Sequence, residues 1–430
     1  MVELSSLKGT HDRYAAEWAA YREVMDVVEE TAREFGFREI DVPALERTEL
    51  FEVKSGEEIL EQTYSFEDRG GRSVTLVPEQ TPTRARLVQK RKDLNTPIKW
   101  FDTSKRWRYE QVQRGRDREF FQTDIDIFGV ESVAADAEII ATAATIFRKL
   151  GVEDRVVFRV NDRELVEALL ESLDIEDVAG VMDVIDDKEK LDAETFREEL
   201  LGVGVDRETA EEIDRLTDIE GPIVETAKEL TERVPADERT EAAVERMEDL
   251  AAALDTYGVS EVCRLDVSVV RGLDYYTGLV FEAFDTETDL RSLFGGGRYD
   301  DLVGLFGDQA VPAVGFGFGY STTAWLLEET GNWPAEALST DVYVLSVSED
   351  VRETALGFAM ELREAGCVVE TDLAGRSVGG QFGYADEINA DTVIVVGQND
   401  LDDGVVTVRD MDSGDEELID VDSVVESILG

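Results

Sequence analysis

The stretch RWRYEQVQRGRDREFFQTDIDIFG, residues 106–129, has the residue types and spacing to build a polar site on a sheet. It reads as two β-rich runs, KWFDTSKRWRYE and REFFQTDIDIFG, joined by the charged loop QVQRGRD. On the second run, a period of two puts Gln122, Asp124 and Asp126 on one face and Ile125 and Ile127 on the other. Arg108, Glu110 and Arg116 belong to the same hairpin. Two carboxylates and an amide opposite arginines make either a salt-bridged sheet surface or a site for a substrate bearing both signs of charge.

SVVRGLDYYTG, residues 268–278, poses a related question. Leu265, Val267 and Val269 alternate with Asp266 and Ser268, so the next residue on the apolar face is Arg271. A guanidinium aimed inward is costly unless an anion meets it, and that anion is either a protein carboxylate or a bound ligand. A third stretch, VGFGFGY, places Gly315, Gly317 and Gly319 between Phe316 and Phe318. Glycines on one strand face admit a flat group such as a nucleotide base, or a tightly packed helix. The spacing is not the dinucleotide fingerprint, and the sequence has no phosphate-binding G-x-x-x-x-G-K-[ST] loop.

The elements that must hold these residues follow from periodicity. Residues 14–35 read as an amphipathic helix on Trp18, Tyr21, Val24, Met25 and Val28. FGFREIDVPALE reads as a turn and strand, SVTLVPEQTPTRARLVQKRK as a strand, a Pro-bounded turn and a basic helix, and 134–150 as a helix. From about 160 to 255 the chain is helical and acidic, with breaks at Gly202, Gly204 and Gly221-Pro222. β-character returns at 262–284 and is followed by glycine-rich FGGGRYD. After the linker-like GNWPAEALST, an alternation of strands and helices from about 340 marks a small α/β domain.

Composition sets the remaining bounds. A chain of 430 residues makes two or three domains. It has no apolar run long enough for a membrane span and no signal-like N-terminus, so the expectation is a soluble intracellular protein. Cys263 and Cys367 give neither a disulfide framework nor a zinc site, and the single histidine, His11, excludes a His-rich metal centre. His11 itself reads as a structural loop residue. The net charge of −55 comes from 98 acids spread along the whole chain against 43 basic residues, of which only ten are lysine. That pattern resembles proteins that work in near-saturating salt, where screening tolerates self-repulsion. Against it, residues 84–118 hold twelve Lys and Arg, a basic segment dense enough to imply a purpose.

Several of these pieces together resemble one family. RWRYE with the following GR and FFQ is similar to motif 2 of class II aminoacyl-tRNA synthetases. VRGLDYYTGLVFE and GGGRYDDL resemble the two signatures of the histidyl-tRNA synthetases; LVPEQTPTRAR resembles their amino-acid-binding turn and KGTHDRY their N-terminal signature. GGQFGYADEINADTVIVVG resembles the anticodon-binding domain shared by several class II enzymes.

The resemblance implies an α+β fold: a class II antiparallel sheet core in two parts, residues 1–158 and 259–332, with a helical insertion at 159–258 and a C-terminal α/β anticodon-binding domain at 338–430. It implies a cytoplasmic homodimer that activates L-histidine with ATP, accompanied by Mg2+, and transfers it to the 3′ end of tRNA(His). No protein-held metal is implied with certainty. A catalytically silent regulatory or histidine-sensing paralogue is the alternative.

The resemblance also distributes roles. Arg108 would hold the α-phosphate, and Arg271 would bridge it to the attacking carboxylate. Arg116 would reach the outer phosphates, and Glu110 would contact metal-bound water or the base. Glu79, Thr81 and Gln122 would bind the substrate ammonium, with Gln80 also in the histidine site; Asp126 and Tyr276 would pair with the imidazole, with Tyr275 shaping the wall. Gly315, Gly317 and Gly319 would underlie the adenine. The sequence departs from the family pattern at three places: Thr322 stands where motif 3 carries an arginine, Val77 precedes the Pro-Glu pair, and Asp126 is shorter than the usual Glu. Arg298 is the expected substitute for the missing motif 3 arginine.

Overall fold

A computed structural model describes residues 4–52, 62–91, 93–233, 238–270, 275–288, 292–335, 338 and 340–429. The chain divides into two compact units, Met1–Asp12 with Glu23–Trp333, and Arg13–Arg22 with Pro334–Gly430.

The first unit is built on a nine-stranded sheet. Its strands in chain order are β1 (Arg38–Glu39), β5 (Ile98–Trp107), β6 (Glu119–Phe128), β7 (Val156–Asp162), β8 (Glu220–Gly221), β9 (Cys263–Asp266), β10 (Leu279–Asp285), β11 (Phe294–Arg298) and β12 (Ala313–Gly319). Strands β2 (Leu45–Arg47), β3 (Tyr64–Glu67) and β4 (Ser73–Leu76) form a separate three-stranded sheet. The spatial order of the large sheet is β1-β5-β6-β12-β11-β10-β7-β9-β8. Its centre, β5 to β7, is antiparallel throughout, while β1 with β5 and β7 with β9 pair parallel. The longest pairing is the hairpin, anticipated from runs at 99–110 and 118–129 and in register from Ile98 opposite Phe128 to Trp107 opposite Glu119. Phe158 of β7, Phe294 of β11 and Phe318 of β12 pack ring against ring with Phe147 of the helix Val133–Lys149.

The acidic segment expected as an insertion domain belongs to this same unit. Both of its ends are tied to the sheet through β7 and β9, and the helix Glu238–Tyr257 packs on the helices Val133–Lys149 and Arg163–Ser172. Part of its acid content is structural. Asp162, Asp177, Asp192 and Asp206 each accept from backbone N–H groups one turn into a helix, satisfying donors the helix start leaves unpaired.

The second unit holds a five-stranded sheet in the order β14-β13-β15-β16-β17, from β13 (Thr340–Ser346), β14 (Val369–Thr371), β15 (Ala390–Val396), β16 (Val405–Asp410) and β17 (Glu416–Asp420). Strand β13 pairs parallel with β14 and β15, as strand–helix–strand crossovers require. Apolar clusters cover both faces, one around Val344 and Phe358 and the other around Tyr343 and Ala385. β17, with its mostly exposed EELID, is not evident from hydropathy.

Candidate active site

The turn after β4 and the helix Thr81–Lys90 supply one wall of the site. Pro82 in the first helical turn fits the fixed φ that helix starts want. The turn and the start of the helix place Glu79 and Thr81 on the lining of a cavity of about 250 Å3. Gln80 does not join them: it caps the helix without a side-chain bond, and its side chain is buried with Oε1 unpartnered.

The second wall is β6, whose alternation is as the sequence indicates. Gln122, Asp124 and Asp126 all line the cavity, while Ile125 and Ile127 are buried on the opposite face. Gln122 donates to Asp124 at 2.9 Å. On β12 the register partners of Asp126, Asp124 and Gln122 are Gly315, Gly317 and Gly319. A Cβ on Gly315 would sit 2.7 Å from the Asp126 carboxyl carbon, and one on Gly317 would sit 2.8 Å from Gln122 Cδ. Gly315 and Gly317 therefore first make room for β6 side chains lying across β12. The same device recurs on β11, where a Cβ on Gly297 would meet the Tyr276 ring at 2.7 Å.

Beneath this wall lies a charge network. Arg84, one turn into the 81–90 helix, is fully buried and pairs with Asp102 and Asp126, and it donates to the Asp124 carbonyl at 2.9 Å. Arg106, also fully buried, pairs with Asp124 and with Asp102 at 3.2 Å. Burial would lift the Asp102 carboxyl, but Arg84 and Arg106 hold it below the ordinary carboxylate range. Asp126 is different. Burial pushes its carboxyl up to about 6 against the pull of Arg84, and its Oδ1 accepts from the Tyr299 hydroxyl. Two guanidiniums thus face three carboxylates, and the surplus negative charge lies at the cavity.

Tyrosines hold both outer acids. Tyr275 donates to Glu79 Oε2 at 2.8 Å, as Tyr299 does to Asp126, and the two rings meet edge to face at 5.9 Å. Burial first, and then these carboxylates, push both phenols well above their usual range, so they remain donors. Tyr276 is buried and completes this wall.

Arginines line the cavity as well. Arg108 is aimed by donating Nε–H to the Pro78 carbonyl at 3.0 Å and lies over the Phe120 ring. Arg116 pairs with Glu110 at 3.0 Å. All three line the cavity, but strand pairing stops at Trp107, so Arg108 and Glu110 stand in the loop rather than on the strand face. Gly319 lines the cavity beside Thr322, whose hydroxyl is spent on the Leu293 carbonyl at 2.7 Å.

Two further expectations need correcting. Arg298 does not line this cavity: it is largely buried at a second one, bonded to Asp136 Oδ1 at 3.0 Å, to the Val130 carbonyl at 3.0 Å and to Asp300 at 3.2 Å. Those partners consume its donors. The alternation used for Arg271 ends at Asp266, because Val269 N–H turns back to the Asp266 carbonyl and Val269 and Val270 are both buried; Arg271 itself lies outside the described residues. Much of the basic segment is spent on ion pairs within the protein. Besides Arg84 and Arg106, Arg86 pairs with Glu46, Lys99 with Glu138 and Lys105 with Glu119.

His11 sits at the rim, its Nε2 2.8 Å from Asp117, whose other oxygen accepts from Ser321 at 3.1 Å. The acid is in the middle of this chain, so serine and imidazole do not touch and the order does not suit a nucleophilic triad. Arg84, Tyr299 and Asp117 are the site residues the sequence reading did not single out. GGGRYD contains Tyr299, whereas nothing local distinguishes Arg84 from its basic neighbours.

Comparisons with known proteins bear on the family of the chain. Residues 9–322 match the family model for histidyl-tRNA synthetase, and residues 341–430 match the anticodon binding domain. The histidine–tRNA ligase of Natronomonas pharaonis is 50% identical over 416 residues, covering 95% of this chain and 94% of that protein. That of Halorubrum lacusprofundi is 48% identical over 97% of this chain and 95% of its own, and that of Thermococcus kodakarensis is 37% identical across 100% and 99%. The crystal structure of histidyl-tRNA synthetase from Nostoc sp. superposes with a TM-score of 0.85 at 25% identity, covering 100% of this chain and 99% of that one. With one family model covering most of the chain and relatives this similar along nearly all of it, the protein belongs to the histidyl-tRNA synthetase family.

Proposed function

We propose that this chain activates L-histidine with ATP and transfers it to the 3′ end of tRNA(His). The observation that carries the reading is that one cavity is lined both by the arginines Arg108 and Arg116 and by the carboxylates Glu79, Asp124 and Asp126. A histidine carboxylate and a triphosphate are both anionic, so bringing them together requires cations at the reacting end. The substrate ammonium offers three donors, for which Glu79, Thr81 and Gln122 are the acceptors at hand. The imidazole then meets the Asp126–Tyr276 wall.

In the first step a histidine carboxylate oxygen attacks the α-phosphorus. The new C–O–P bond forms as the bond to the bridging oxygen breaks, and pyrophosphate leaves with the electron pair. Arg108 neutralises the α-phosphate, Arg116 the outer phosphates, and Arg271 spans the two reacting anions. Among the described residues no cluster of three or more His, Cys, Asp and Glu is set to hold a metal ion; Mg2+ in this reading arrives on the ATP phosphates, with Glu110 beside them. In the second step a ribose hydroxyl of the terminal adenosine attacks the acyl carbon, loses its proton, and AMP departs. Residues 111–115 are assigned to the acceptor end and residues 341–430 to the anticodon, in a homodimer that works in the cytoplasm. No helix among the described residues is long and apolar enough to cross a membrane.

The deciding experiment is ATP–pyrophosphate exchange in multimolar KCl with each amino acid in turn. Exchange with histidine alone is expected, and Arg271→Ala abolishes it. No exchange with histidine, or equal exchange with several amino acids, overturns the reading.

A further inference from the structure

Asp126 is a short carboxylate in a deep position, and its environment fixes both of its oxygens. Oδ2 is held by Arg84 and Oδ1 by the Tyr299 hydroxyl. Arg84 cannot follow a moving partner, because its other donors are committed to Asp102 and to the Asp124 carbonyl. Tyr299 is equally fixed, its ring lying edge to face with Phe128 at 6.2 Å and Tyr275 at 5.9 Å. Across the sheet Gly315 brings no side chain to compete for the carboxylate.

Resting on the reading of the cavity as a histidine site, we propose that Arg84 and Tyr299 are positioning residues that together clamp Asp126 as an oriented, anionic acceptor for the substrate's imidazole N–H. Each grips a different oxygen, so rotation of the carboxylate about its own axis is blocked, and the acceptor direction left for a ligand is set before the ligand arrives. A side chain without an N–H at that point then leaves a buried charge unpaired, which is a strong basis for rejecting other amino acids. The clamp also supplies what a longer glutamate would gain by reach.

The charged and titratable groups facing Asp126 are Arg84 from the helix, Asp124 from β6, and Tyr299 with Tyr276 behind it; Asp102 from β5 shares Arg84, and β12 contributes only Gly315. Removing either donor withdraws stabilisation from the carboxylate form alone, so Asp126 takes up its proton at a higher pH.

The test is the KM for histidine in ATP–pyrophosphate exchange between pH 5.5 and 8.5, for the unaltered protein, Tyr299→Phe and Arg84→Lys. Titration of the substrate's own imidazole is common to all three and cancels in the comparison. Both variants are expected to move the acid limb of the KM profile upward by about one pH unit, which is about a tenfold higher KM on that limb, while KM for ATP stays put. A profile that coincides with that of the unaltered protein overturns the proposal. So does loss of fold in both variants by near-UV circular dichroism, which would make the residues purely structural. Failure of the unaltered protein to exchange with histidine would instead sink the reading of the site.

Discussion

The carboxylate of Asp126 occupies the space that a side chain on its register partner Gly315 would fill. A methyl at Gly315 would also stand 2.7 Å from the Ile125 carbonyl, which is backbone and cannot swing aside. Gly315→Ala should therefore displace Asp126 and cost about 1–3 kcal/mol in stability, with a large rise in KM for histidine. Gly319→Ala is the control, since its Cβ would meet Thr322 Oγ1 at 3.4 Å and the Leu293 carbonyl at 3.6 Å, ordinary contacts. Thermal unfolding together with exchange kinetics separates the two; equal behaviour of the variants would contradict the assignment of Gly315.

Arg298 and Asp136 form an ion pair with both side chains largely buried. Burial pushes the Asp136 carboxyl up to about 6 even against this partner. Removing one member of such a pair leaves an uncompensated charge, so Arg298→Met should lose about 3–5 kcal/mol. Because Arg298 lies at a different cavity from Arg108 and Arg116, KM for ATP should stay near its original value in the protein that remains folded. Urea unfolding and exchange kinetics measure both. A selective rise in KM for ATP without loss of stability would restore Arg298 to the nucleotide site.

What the sequence made legible was local periodicity. The hairpin face carrying Gln122, Asp124 and Asp126 follows from a period of two, and the turn before Thr81 follows from Pro82. The alternating glycines were visible as a permissive face, but not what they admit, because that depends on β6 being their neighbour. Arg84 shows the same limit from the other side. Its partners lie 18 and 42 residues away on β5 and β6, so only the tertiary fold distinguishes it from a solvated arginine. Arg271 was reached by extending strand alternation past Asp266, where the backbone in fact turns.

Acidification should act on stability and on binding with opposite signs. The carboxyls of Asp126 and Asp136 are both raised to about 6 from an ordinary value near 3.8. A raised folded-state value means the native protein binds these protons more tightly than the unfolded chain does. Their contribution to stability therefore grows as the pH falls from about 6 toward 4 and is lost above 6. Over the same interval Asp126 loses the charge that accepts the imidazole N–H, so KM for histidine should climb. Below about 4 the sign reverses: Asp192 and Asp206, held low by the backbone N–H groups they cap, become protonated and the helix starts weaken. A melting temperature and a histidine KM that fell together between pH 7 and 5 would contradict this account.

The net charge of −55 makes salt the remaining variable. At 0.1 M the Debye length is about 10 Å, comparable to the spacing of surface carboxylates, whereas at 1 M it is about 3 Å. Repulsion among the acids therefore acts across the whole surface in dilute buffer and shrinks to nearest neighbours in concentrated salt. The buried network of Arg84, Arg106, Asp102, Asp124 and Asp126 is shielded from solvent and should be nearly indifferent to the same change. Melting temperature should accordingly rise steeply with KCl up to about 1 M and more slowly beyond, where only exclusion of salt from the surface still acts. Sucrose at matched osmolality separates the two effects, because it is excluded but does not screen. Restoration of the full stability by sucrose in low-salt buffer would rule out charge repulsion as the cause.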